Sequence, residues 1–125
     1  MDRASILVLE DDEAFRRFLV QALRRAAYSV VDTGDANEAI ALLSGSTRFD
    51  LLIAEIVMPL FQPHGISVGN IAMVRRHGIK VIYITGDPGY VPSGFIDVTQ
   101  TPLLAKPFDA DILLTVVESA LWRPK

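Results

Sequence analysis

Phe49-Asp50-Leu51-Leu52-Ile53-Ala54-Glu55, followed by Ile56-Val57-Met58-Pro59, is the stretch on which the reading of this chain turns. It is an apolar run of strand length that ends in a carboxylate. A run that is apolar at nearly every position, rather than at every second one, belongs to a strand covered on both faces. Three further runs have the same character. Ile6-Leu7-Val8-Leu9 ends in Glu10 and Asp11, Val81-Ile82-Tyr83-Ile84 ends in Thr85-Gly86, and Leu103-Leu104-Ala105 ends in Lys106-Pro107. Carboxylates, a hydroxyl and an ammonium thus gather at the C-terminal ends of strands, the edge at which open α/β sheets bind ligands.

Between these runs the period changes. Phe15, Phe18, Leu19, Ala22, Leu23 and Ala26 recur at the three-and-four spacing of a helix with one apolar stripe. Residues 28–32 read as a second strand, and Gly34-Asp35 opens a second helix, with Asp35 and Glu38 at capping-box spacing, that runs to about Ser44. The third strand spans 49–55, a third helix 66–77 and the fourth strand 80–85. Asp109 is the N-cap of a last helix whose Ile112, Leu113, Val116, Val117, Ala120 and Leu121 share one face. Between Thr85 and Leu103, Asp87-Pro88-Gly89, Pro92-Ser93-Gly94 and Thr101-Pro102 predict a loop with at most a turn or two of helix. Alternating strands and helices predict right-handed βαβ units, a parallel sheet and a three-layer α/β fold.

The chain has 125 residues, half of them hydrophobic, which makes one domain over 1–125 with a core large enough to need no staples. It contains no cysteine, so disulfides and cysteine-based metal or redox chemistry are excluded. No apolar run approaches the roughly 18–20 residues of a membrane span, and Met1-Asp2-Arg3 lacks a signal-peptide pattern, so the expectation is cytoplasmic, with no membrane partner. A net charge of −3 gives no basic surface for nucleic acid. Arg16, Arg17, Arg24 and Arg25 cluster at helical spacing and are expected to form a solvated helix face.

With Glu10-Asp11, Glu55, Met58-Pro59, Thr85 and Lys106-Pro107-Phe108 in this order, the chain resembles, over its whole length, the receiver domain of bacterial two-component response regulators. The resemblance implies a single flavodoxin-like receiver domain with sheet order 2-1-3-4-5 and a cis Lys106-Pro107 bond. It also implies Mg²⁺ held by Glu10, Asp11, Glu55 and the backbone carbonyl of Val57, and a phosphoryl group contacted by Thr85 and Lys106. Acids at the N-terminus of a helix need no metal to explain them, which accounts for Asp12 and Glu13 but not for acids closing two strands. The implied partner is a histidine kinase or another signalling protein in a phosphorelay.

Four departures stand out. The phosphoacceptor position is Glu55, one methylene longer than the family's aspartate. Leu103 holds the switch position where the family places Tyr or Phe. Leu60-Phe61-Gln62-Pro63-His64-Gly65 is a longer link than usual, and the fourth-helix region is depleted. His64 and His77 lie outside any helix-bundle setting and are read as exposed residues rather than phosphoryl carriers. The expected function is an atypical stand-alone receiver, not an enzyme, that is not switched by ordinary aspartyl phosphorylation. The alternatives are a receiver phosphorylated on Glu55 or a neighbouring acid such as Asp11, and a small phosphohydrolase or flavodoxin-like cofactor binder. The last of these lacks both a Gly-rich phosphate loop and a D-x-D motif after the first strand.

Overall fold

Strands β1 (Ser5–Leu9) and β3 (Leu51–Glu55) carry buried apolar runs, and they lie side by side in parallel, Leu9 level with Ala54. The computed structural model describes residues 3–90 and 100–124. In it β2 (Ser29–Thr33), β4 (Lys80–Thr85) and β5 (Leu103–Ala105) complete a five-stranded parallel sheet in the order β2-β1-β3-β4-β5. This is the flavodoxin-like order expected. Register sets the working edge: Glu55 is level with Ile84 and Thr85 with Ala105, so Glu10, Glu55, Thr85 and Lys106 all leave the sheet at one end.

Among the described residues four helices cover the faces: α1 (Glu13–Arg25), α2 (Ala36–Ser44), α3 (Gly65–Arg75) and α4 (Ala110–Leu121). Because strand side chains alternate with period two, each strand feeds both cores. Leu7, Leu9, Leu52, Ala54, Val81 and Tyr83 pack under α2 and α3. Ile6, Val8, Leu51, Ile53, Ile82 and Ile84 pack under α1 and α4, against Leu19, Leu23, Leu113 and Val117. Aspartates start three of the helices, Asp12, Asp35 and Asp109 each accepting the N–H three residues on.

Several expectations change in detail. The capping box at Asp35 is half formed, since the Asp35 N–H goes to the Thr33 hydroxyl and not to Glu38. Asp50 lies outside β3, its carboxylate taking the Ser5 N–H and Arg48. Helix α3 ends at Arg75 rather than at residue 77. Arg76 turns extended, and its guanidinium donates to the carbonyls of Leu42, Leu43, Gly45 and Thr47 at the end of α2. The arginines of α1 are not one solvated face either: Arg16 pairs with Asp32 at 3.1 Å and Arg24 donates to the Val30 carbonyl, which ties α1 to β2. Ile112, expected on the buried face of α4, is 48% exposed. In the depleted region one 3₁₀ turn spans Pro88–Tyr90, and the remaining positions of the expected weak fourth helix, 91–99, lie outside the described residues.

Candidate functional site

The ends of β1, β3, β4 and β5 contribute one group each. Glu10, wholly buried, follows β1; its Oε2 accepts the Asp12 N–H at 3.1 Å. Glu55, 5% exposed, closes β3; its Oε2 folds back to accept the N–H groups of Ile56 at 2.7 Å and Val57 at 3.3 Å. The remaining oxygens face one cation. Lys106 Nζ lies 2.5 Å from Glu10 Oε1 and 2.8 Å from Glu55 Oε1, and 4.5 Å from the centre of the Phe15 ring. Glu10 Oε1 is buried, and the Lys106 ammonium is its counter-charge. The Lys106–Pro107 bond is cis, as the resemblance implies, and the Lys106 N–H is held by the Thr85 carbonyl at 2.9 Å.

Thr85 is fully buried at the same edge, where its oxygen accepts the Asp87 N–H at 3.1 Å and fixes the turn after β4. Asp11 stands exposed. Val57 is 39% exposed and serves Glu55 through its N–H. His64 and His77 are both exposed. Gly65, the last residue of the longer link, makes a close approach: a Cβ there would stand 2.7 Å from the Glu55 carbonyl carbon, and its N–H bonds the Ile56 carbonyl at 2.9 Å. The start of α3 is therefore pressed against the backbone of Glu55. Arg16 was also missed as a site neighbour; it donates to the Glu10 carbonyl at 2.7 Å. Leu103 is level with Tyr83, a buried ring whose hydroxyl approaches the Ile66 carbonyl at 3.5 Å. Burial pushes the Tyr83 hydroxyl up to about 12. A ring thus occupies the neighbouring strand where the switch position itself has none.

The electrostatics follow from one ammonium shared by two acids. Burial raises the Glu10 pKa, and the Lys106 contact and the Asp12 N–H offset only part of that rise. Burial works to lower the pKa of Lys106, yet the contacts and charges of Glu10 and Glu55 together outweigh it and hold the ammonium above the ordinary lysine value. The two partners of the pair therefore shift the same way. Lys106 gains from two carboxylates, while Glu10, without any exposure, has part of one cation.

A divalent ion wants several open oxygens. Here the Glu10 and Glu55 oxygens are taken by Lys106 and backbone N–H groups. Asp11 does not join them, and among the described residues no three His, Cys, Asp or Glu side chains are grouped to hold a metal. As arranged, the donor set does not fit a divalent ion; the cation between the acids is the ammonium.

Residues 6–118 match the response regulator receiver domain. The chain is 33% identical over 117 residues to the response regulator receiver protein CpdR of Brucella abortus, covering 93% of this chain and 95% of that protein. It is 34% identical over 129 residues to the DNA-binding transcriptional regulator NtrC of a Bradyrhizobium species, but spans only 26% of that protein's length. The response regulator TrrA of Thermotoga maritima, solved in complex with Mg²⁺ and BeF, superposes with a TM-score of 0.80 at 25% identity, covering 95% of this chain and all of that one. Among the described residues no helix is long and apolar enough to cross a membrane.

Proposed function

This chain belongs to the response regulator receiver domain family, and we propose that it is an atypical receiver, read by a histidine kinase or another signalling protein without ordinary aspartyl phosphorylation. One observation carries the reading. The acid at the acceptor position is a glutamate with both oxygens engaged, one on Lys106 and one on two backbone N–H groups. An attacking carboxylate oxygen must be free and in line with the incoming phosphoryl group, and small misplacements cost much of the rate. Glu55 is neither free nor of the family's length. Its permanent charge, neutralised by Lys106, holds one state of the site, and partners read that state.

Incubation with acetyl phosphate and Mg²⁺ followed by intact mass measurement tests this. No species heavier by about 80 Da, the mass of HPO₃, is expected from the native chain, and Glu55→Asp is expected to gain one. A labelled Glu55 or Asp11 in the native chain overturns the reading.

A further inference from the structure

At the edge of the sheet opposite Glu55, the start of β1, β2 and β3 and the end of α4 enclose a cleft of about 330 Å³. Three guanidinium groups line it, those of Arg3, Arg48 and Arg123. Among the described residues Asp50 is the carboxylate in this cleft, and it is occupied: one oxygen takes the Ser5 N–H at 2.9 Å and the other takes Arg48 at 3.0 Å. Among the described residues Arg123 donates to the Gly78 carbonyl, at 3.4 Å. Positive charge in excess of its partners therefore converges on one concavity, in a chain whose net charge is −3.

A second hollow of about 430 Å³ shares Arg3, Ala4 and Leu121 with the first and is walled by Tyr28 and Trp122. Trp122, the one tryptophan of the chain, is 70% exposed. Arg3 joins the two lobes, its guanidinium 4.5 Å from the centre of the Tyr28 ring and 3.0 Å from the Ala26 carbonyl. Glu118, 3.7 Å from Arg3, gives the aromatic lobe one hydrogen-bond acceptor.

Solvated arginines on a surface need no ligand to explain them. What sets these apart is convergence beside a flat, exposed ring. Guanidinium forks match phosphoryl oxygens, and indole faces stack bases. We propose that this double cleft binds a nucleoside phosphate, with the phosphoryl group among Arg3, Arg48 and Arg123, the base against Trp122, and a base N–H donating to Glu118. Both hollows lie within the range of small-molecule sites, roughly 300–1,000 Å³. The cleft is at the far end of the sheet from Glu55, so it stands or falls apart from the phosphorylation reading.

Titration of the full chain with AMP and with GMP, followed by calorimetry and by Trp122 fluorescence corrected for absorption, tests the assignment. Saturable quenching is expected with at least one of the two. Arg48→Ala, with unchanged circular dichroism and melting, is expected to weaken it about tenfold, and Arg123→Gln is the second variant should the first unfold. Absence of saturable binding with either nucleotide overturns the proposal, as does equal affinity in a folded variant. Inorganic pyrophosphate that competes as tightly as the nucleotide also overturns it, because the base would then contribute nothing.

Discussion

Lys106 Nζ and Glu55 Oε1 stand 2.8 Å apart, and the same ammonium is 2.5 Å from Glu10, so one cation serves both acids that close the central strands. Lys106→Met keeps the apolar stem on Phe15 and removes the charge. Stability at neutral pH should fall by about 1 to 3 kcal/mol. In the native chain the Lys106 contribution is complete below the unfolded value of 10.5 and is lost as pH rises through its higher folded value. In the variant the acids rise further. Carboxylates raised in the folded state bind more protons there than when unfolded, so the deficit shrinks as pH falls toward 4.5, the ordinary Glu10 value. Denaturant melts of both proteins at about pH 5 and about pH 7.5, in low salt without Mg²⁺, measure it. A deficit equal at both pH values would mean that Lys106 does not neutralise these acids.

With the ammonium already between the acids, millimolar Mg²⁺ should move the native melting temperature little. In Lys106→Met the vacated carboxylates should bind the ion and give a larger rise, by mass action. Thermal melts with and without MgCl₂ compare the two. A large rise in the native chain that Asp11→Asn abolishes would show that the acids open to a metal after all.

Tyr83 occupies the space that a side chain at position 69 would need. A Cβ on Gly69 would stand 2.7 Å from the ring's Cζ, and closer still to the hydroxyl oxygen. Alanine should gain about 1 kcal/mol of helix propensity and lose more to overpacking, for a net loss of about 1 to 2 kcal/mol. In a Tyr83→Leu background the same substitution should be neutral or stabilising. A double-mutant cycle reads the coupling, and additivity would deny the contact.

Arg76 ends α3 and caps α2, donating to four carbonyls at 2.5 to 3.1 Å. Arg76→Ala should cost about 1 to 3 kcal/mol, and Arg76→Lys should recover only part of it, because a point-like ammonium cannot span the same set. Urea melts decide between this and a merely solvated arginine, for which both variants would match the native chain.

Residue order alone carries the strands, the layers and the edge at which chemistry gathers. Continuous apolar runs and three-and-four stripes are local signals, and acids or a lysine at strand ends need only the chain direction to be placed. Hence the gathering of Glu10, Glu55, Thr85 and Lys106 at one edge of the sheet was legible in the residue order. Tertiary structure decided how those groups share charge. Nothing in the order of residues says that Glu55 turns its second oxygen onto its own backbone, or that Asp11 stays outside the group that Lys106 neutralises. These depend on register between strands distant in sequence, which brings β1, β3 and β5 to one height. Gly65 against Glu55, Gly69 against Tyr83 and Arg76 on the end of α2 were hidden for the same reason. Each is a contact between segments whose spacing in the chain carries no period, so only the packed molecule could place them.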